Sequence, residues 1–350
     1  MSRVYLDFNA TAPLRPEARA AMLAAMDLVG NPSSVHAEGR AARAVIEQAR
    51  AQVAAAVGCD RDEVIFTSGA TEAAALALSG RDRIAALATE HDAVFSHLGD
   101  GEALPVDAEG RLHGTLPGDA FTCVQVANSE TGVLQGATGD LADAVQAVGK
   151  LPYAFGWSGA RAAMVSAHKL GGPKGVGALL LKSGQEISAR ITGGGQEMGR
   201  RSGTENVIGI AGFGAACEAA QRDLESGAWD RVAGLRNILE ELLEAGAADI
   251  IFAGRGAERL PNTSCFAVPG WKGETQVMQM DLAGFAVSAG SACSSGKVKE
   301  SRVLRAMGLD AETASSAIRV SLGPQTTEAE LRSFAEAWLA ARSRRRARAA

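Results

Sequence analysis

The stretch Ser166-Ala-His-Lys-Leu-Gly-Gly-Pro-Lys-Gly175 decides how the rest of the chain is read. It follows a short apolar run, Ala162 to Val165, and precedes a second one, Val176 to Leu181. An apolar run, a polar switch, a Gly/Pro turn and another apolar run predict two strands joined by a tight turn, with Lys169 at a strand end. A lysine held there among small residues can lose its proton by desolvation, and a neutral amine attacks carbonyl carbon. A Schiff-base lysine fits this pattern. A plain surface lysine in a glycine loop fits it too, and only the remaining sequence separates the two.

Upstream, Glu63-Val-Ile-Phe-Thr67 has the composition of a buried strand, and Ser68-Gly-Ala-Thr-Glu72 turns from it into an alanine-rich helix. Strand, small-residue turn and helix start make a phosphate site, because free backbone N–H groups and the helix dipole point at the anion. Ala85 to Ala88 and Phe121 to Val126 read as further parallel strands, the first ending at Thr89-Glu-His91. Pro16 to Leu28 and Glu38 to Val57 have helical spacing, the latter stopped by Gly58. This alternation predicts an α/β fold, a large domain on a mainly parallel sheet with ligands at the strand ends.

Downstream, Ile210 to Leu224 and Asp230 to Ala245 keep a helical period. Short strands near Ile250, Cys265, Phe285 and Ile318 read as a smaller α+β domain, and Thr327-Glu-Ala-Glu330 as the capping box of a last helix. The expected division is 15–245 for the large domain, with 1–14 and 246–350 forming the small one.

The chain has 350 residues, 47% hydrophobic and 21% charged, within the ordinary range for a globular protein. A net charge of −5 gives no electrostatic case for DNA or RNA, so the basic run Arg342 to Arg348 reads as a frayed, solvated end. No apolar run reaches membrane-spanning length. The five cysteines are odd in number and form no CxxC pair, which predicts reduced thiols in the cytoplasm.

The polar residues expected at strand ends are Thr71, His91, Asn128, Ser129, Asp143, Gln146, Ser166, His168 and Lys169, with Cys293 and Arg319 in the later domain. Such a set suits pyridoxal 5'-phosphate (PLP), which needs a lysine, an anion for its ring nitrogen, a flat group over the ring and a phosphate cup. In order, Tyr5-Leu-Asp-Phe-Asn-Ala-Thr11, Gly30-Asn-Pro-Ser-Ser34, Thr89-Glu-His91, Asp143-Ala-Val-Gln146, Ser166-Ala-His-Lys169, Arg201-Ser-Gly-Thr204 and Ser291-Ala-Cys-Ser-Ser295 give the chain a close likeness to a known family. It resembles the NifS/IscS-like cysteine desulfurases of the class V aminotransferase fold, over essentially its whole length.

The resemblance implies a PLP-dependent transferase of fold type I that converts L-cysteine to L-alanine and leaves a persulfide on Cys293. By the same resemblance Lys169 carries the cofactor and moves the Cα proton, Asp143 pairs with the ring nitrogen, and His91 stacks on the ring. Gln146 and the position of Ser129 face the ring oxygen. Ala70, Thr71, Ser166 and His168 hold the phosphate, together with Thr204 of a second copy in a homodimer. Asn9, Asn128 and Arg319 are placed with the substrate. A sulfur-acceptor protein, for iron–sulfur clusters or thiolation, is the implied partner. Cys293 lies among Gly, Ala and Ser, where a thiol stays accessible, whereas Cys59, Cys123, Cys217 and Cys265 sit in or beside apolar stretches.

Three departures stand out. Ser129 replaces an asparagine of the family pattern, and Ala73, Ala74 and Ala75 replace polar residues. The segment from Gly132 to Asp143 is also too short for a crossover helix, which ordinarily takes about ten to twelve residues. The expectation is a missing helix, a very short strand before Asp143, a less buried Asp143 and a looser cofactor. The competing readings are a selenocysteine lyase or aminotransferase of the same fold, and a catalytically weak relative that binds protein partners.

Overall fold

The structure, a computed structural model, describes residues 3–289 and 300–349. Helix α1 (Pro16–Met26) opens with proline in its first turn, where the missing N–H costs nothing. Helix α2 (Ala37–Val57) stops at Gly58, whose φ of +60° suits glycine. Strand β1 (Val4–Tyr5) lies apart from the main sheet, which is built from β2 (Val64–Thr67), β3 (Ile84–Leu87), β4 (Glu102–Leu104), β5 (Phe121–Gln125), β6 (Leu141–Asp143), β7 (Ala162–Ser166) and β8 (Gly177–Leu181). Their order is β2-β8-β7-β6-β5-β3-β4. Pairs from β7 through β6, β5 and β3 to β4 are parallel, while β8 runs antiparallel to both β7 and β2. Both faces of the sheet are covered, which is why its strands read as continuous apolar runs.

Helix α3 (Ala70–Leu78) follows β2, and the short α4 (Asp92–Phe95) follows β3. Two long helices come next, α5 (Val207–Glu225) and α6 (Ala228–Gly246). Helix α5 packs with α1 and α2 on the main sheet, but α6 does not belong there. Trp229, Val232, Leu235, Leu239 and Leu243 of α6 are buried in a second core with Phe266, Trp271, Ile318, Val320 and Trp338. That core therefore draws on the chain from Ala228 onward rather than from 246. The two helices share one period, and periodicity does not say which sheet a helix covers.

The second core carries β9 (Ile251–Phe252), β10 (Thr263–Ala267), α7 (Gly273–Leu282), β11 (Phe285–Ala286), β12 (Ser288–Ala289), α8 (Arg302–Ala306), α9 (Ala311–Ser315), β13 (Ala317–Ser321) and α10 (Glu328–Ala349). The sheet β12-β13-β10-β9 is antiparallel, and β1 pairs in parallel with β11. The expected capping box opens α10: Thr327 N donates to Glu330 at 2.8 Å, and Glu330 N to Thr327 Oγ1 at 3.3 Å. The basic end is not frayed, because α10 runs to Ala349 and Arg342 pairs with Asp249.

The connection from β5 to β6 contains no helix. The chain instead turns back on itself: Asn128 Oδ1 accepts the N–H groups of Glu130 and Thr131 at 2.9 Å each, and Ala127 bridges Leu134 in antiparallel register. The return ends at Asp140, whose carboxylate accepts from Thr122 N (2.8 Å) and Thr122 Oγ1 (2.9 Å) at the start of β5. Gly139 is required beside it, since a Cβ there would lie 2.8 Å from the Thr122 carbonyl oxygen. β6 is short, as expected, but Asp143 is not loosely placed. It is 9% exposed, because β6 is hydrogen-bonded on both sides, to β5 and β7.

Candidate active site

The parallel strands β5, β6 and β7 end at one cavity of about 620 Å³, the place where open α/β sheets bind ligands. Lys169 lies in the single helical turn after β7, and its Nζ donates to the carbonyls of Asn9 (2.8 Å) and Ala10 (2.9 Å). Asp143 ends β6 and accepts from Val145 N at 2.9 Å. Burial raises the proton affinity of Asp143, against the pull of His91, the Val145 N–H and Lys169. A neighbouring carboxyl, Glu90, is pushed up well above its ordinary range, first by burial and then by Asp143. Glu90 is thus driven toward its neutral form more strongly than Asp143, which lines the cavity beside Lys169.

His91 caps α4, its Nδ1 accepting from Ala93 N at 3.1 Å, and its ring lines the cavity. At the opposite wall, Ala70 and Thr71 open α3, so free N–H groups face the space. The turn before them is cramped. A Cβ on Gly177 of β8 would lie 2.8 Å from Gly69 Cα, so glycine is needed where that strand passes under the turn. Ser166 and His168 line the same wall. His168 bonds Thr11 Oγ1 at 3.2 Å, and its pKa falls to about 4 through burial and then through Lys169, Lys174 and Lys150, so the imidazole is neutral at pH 7.

Arg319 on β13 enters from the smaller sheet. It donates to Asp7 Oδ1 (2.8 Å) and the Ser129 carbonyl (3.0 Å), while its Nε is buried with no hydrogen-bond partner among the described residues. Asp7 is steadied in turn by Ser288 Oγ at 2.7 Å. The cavity therefore presents a cationic fork, a lysine, a buried carboxylate and a helix N-terminus, and this donor set fits an anionic pyridine cofactor.

Not every expected residue behaves as the sequence suggests. Asn128 does not line the cavity. Its amide is consumed by the turn after β5 and by Thr89 O at 3.1 Å. Asn9 lines the floor, but its side chain is fully engaged, donating to Thr263 Oγ1 and Ser129 O and accepting from Asn262 and Lys150. Thr204 is exposed and lies outside this cavity. Cys293 lies outside the described residues. The flanks of its segment do reach the site: Ser288 is the register partner of Arg319, and Ser301 Oγ donates to Glu130 at 2.6 Å. Of the other cysteines, Cys123, Cys217 and Cys265 are buried, and burial lifts the thiols of Cys59 and Cys265 to about 12. None of the four lines the cavity.

Lys150 and Gln125 lie outside the motifs quoted above, and Asp7 and Glu90 stand inside them with no role assigned, yet all four support this site. Lys150 alone left a signal, standing four residues after Gln146. The segment bearing Thr204 is pinned by a buried pair, Arg50 with Glu197 at 2.8 and 2.9 Å, and Glu197 also accepts from Phe66 N at 2.9 Å. Removing Glu197 leaves the buried Arg50 with only the more distant Glu47 at 3.4 Å and the Val64 carbonyl among the described residues, and takes the acceptor from Phe66 N. Glu197→Ala is expected to lose about 3–5 kcal/mol in urea unfolding; a loss below 1 kcal/mol contradicts this account.

An α/β chain that sets a lysine, a buried carboxylate and a helix N-terminus around one cavity has the architecture of the fold-type I PLP-dependent transferases. Comparison narrows this. A family model described as aminotransferase class-V matches residues 4–103 and 137–334, and the chain belongs to that family, whose members are PLP-dependent. The gap in the match takes in the turn that replaces the helix between β5 and β6.

A cysteine desulfurase of Cereibacter sphaeroides is 41% identical over 95% of this chain and 93% of its own length. The cysteine desulfurase IscS of Dictyoglomus turgidum is 38% identical over 94% and 91%. Among solved structures, a NifS-like protein superposes with a TM-score of 0.89 at 31% identity, covering 97% of this chain and 99% of its own. The NifS-like protein of Rickettsia africae gives 0.88 at 30%, covering 97% and 99%.

Proposed function

We propose that this chain is a PLP-dependent cysteine desulfurase, in which L-cysteine gives L-alanine and its sulfur passes to Cys293. The observation that carries the reading is the convergence of Lys169, Asp143, His91, Arg319 and the start of α3 on one cavity. PLP would be held by Lys169, by Asp143 at the ring nitrogen, by His91 on the ring face, by Gln146 and Ser129 at the ring oxygen, and by Ala70, Thr71, Ser166 and His168 at the phosphate. The cofactor supplies an electron sink for the substrate Cα.

The chain's own residues do the rest. Arg319, which lines the cavity, holds the substrate carboxylate with the guanidinium N–H groups that Asp7 and Ser129 leave over. Lys169 takes the Cα proton and returns it. The Cys293 thiolate attacks the substrate sulfur: an S–S bond forms, the C–S bond breaks, and its electron pair stays with the carbon that becomes the methyl group of alanine after protonation. Cys293 is left as a persulfide, so the sum is cysteine plus thiol giving alanine plus persulfide. The placement of Thr204 outside its own cavity agrees with its completing the phosphate cup of a second copy in a homodimer. The persulfide then passes to an acceptor protein for iron–sulfur cluster assembly or thiolation, in a reducing cytoplasm, which suits the four cysteines that are free among the described residues.

The test is a spectrum of the purified protein with PLP, taken before and after L-cysteine, with alanine and sulfide assayed. A visible band that changes with cysteine, and alanine release that disappears in Cys293→Ala, is the expected result. A protein that binds PLP and transaminates without releasing sulfur overturns the reading.

A further inference from the structure

Beneath the cavity floor lies a lysine that the proposed reaction does not use. Lys150 is 2% exposed, and its hydrogen bonds among the described residues go to two amide oxygens rather than to a carboxylate. Burying a lysine without an anion is costly, so the position calls for a reason. Burial, followed by the charges of Lys169 and Arg319, lowers its proton affinity well below the ordinary range. Its Nζ lies 2.6 Å from Gln146 Oε1 and 3.2 Å from Asn9 Oδ1. Both are acceptors, so Nζ satisfies them by donation whether it carries three hydrogens or two.

The consequence falls on Gln146. Its Nε2 donates to the Asn9 carbonyl at 3.0 Å, and that carbonyl can only accept. With Oε1 taken by Lys150 and one N–H taken by Asn9, the amide is held from both sides in a single orientation. What remains is its second N–H, and Gln146 lines the cavity. Turned over, the amide would set its oxygen against the Asn9 carbonyl and its NH₂ against Lys150, an arrangement in which the contacts oppose each other.

We propose that Lys150 is a positioning residue that fixes the Gln146 amide as a hydrogen-bond donor to the ligand in the cavity. Lys150 does not touch that ligand; it acts through Gln146, and through Asn9 it ties this donor to the β1 end of the chain. The inference rests on the PLP reading for the identity of the ligand, and the experiment keeps the two apart.

Apo-protein is titrated with PLP, following the quenching of tryptophan fluorescence, for the wild type, Lys150→Met, Gln146→Ala and the double variant, with thermal midpoints recorded alongside. The wild type must bind PLP; if it does not, the cofactor reading fails and not this one. Lys150→Met is expected to raise Kd about tenfold, and the double variant to bind no more weakly than Gln146→Ala alone, since residues acting through one another are not additive. Lys150→Gln, which keeps a donor, should lie between wild type and Lys150→Met. An unchanged Kd in Lys150→Met, or losses that multiply in the double variant, overturns the proposal. So does a failure of both Lys150 variants to fold, which would place the residue in stability alone.

Discussion

Lys169→Ala is expected to lower alanine release by at least about 10³-fold while the protein stays folded. Two losses combine. A positioned general base is worth about 10² to 10⁴ in rate, and Lys169 is also the covalent attachment for the cofactor in the proposed reaction. The structural cost is small by comparison. Lys169 Nζ donates to the carbonyls of Asn9 and Ala10, and the first of these keeps Gln146 as a donor. One carbonyl is thus left without this bond, which costs about 1 kcal/mol and lies beside a cavity that water can enter. The thermal midpoint should move by a few degrees only. Added PLP should still bind, through Asp143 and the start of α3, but should dialyse away, and the visible band of the wild type should be missing. Retention of more than about a hundredth of the wild-type rate contradicts the assignment. Lys174, the other lysine that lines the cavity, then becomes the first residue to test.

What the sequence revealed, and what it hid, divides by the range of the interaction. The strand-turn-strand around Lys169, the stop at Gly58 and the capping box at Thr327 were legible because each is set within a few residues. The absent helix between β5 and β6 was legible too, since chain length bounds what a segment can hold. Its effect on Asp143 was not. Burial there comes from ladders to β5 and β7 and from Asp140 closing on Thr122, contacts that local spacing does not encode. The same reason explains α6, whose apolar stripe looks like that of α5 yet faces Trp271 and Trp338. Asn128 and Ser129 are neighbours, and only the turn decides that the first closes the backbone while the second faces the cavity. Lys150 and Glu90 were hidden because a charged side chain in sequence reads as solvated. Their burial appears only once the strands from both parts of the chain have been assembled.

Arg319→Ala is expected to lower kcat/KM for L-cysteine by about 10² to 10³, with most of the loss in KM, in steady-state assays of alanine release. The guanidinium is already oriented before substrate arrives: one nitrogen is on Asp7 Oδ1, another on the Ser129 carbonyl, and Nε is left over although it is buried. An incoming carboxylate can take the N–H groups that Asp7 and Ser129 leave over, in the fork geometry that carboxylates prefer. Truncating one partner of a buried charge pair costs about 2–5 kcal/mol, which brackets the loss expected here. Part of that cost falls on Asp7, left with Ser288 as its side-chain donor among the described residues, so a second variant is needed to isolate the substrate contact. Arg319→Lys keeps a positive charge near Asp7 but presents a point charge instead of a fork. It should preserve the thermal midpoint within a few degrees and still raise KM about tenfold or more. Asp7→Asn leaves the guanidinium intact but weakens its anchor, and a smaller rise in KM with little change in kcat is expected. A KM that stays at the wild-type value in Arg319→Lys would show that the fork does not hold the substrate, and the carboxylate would then have to be met by one of the lysines that line the cavity.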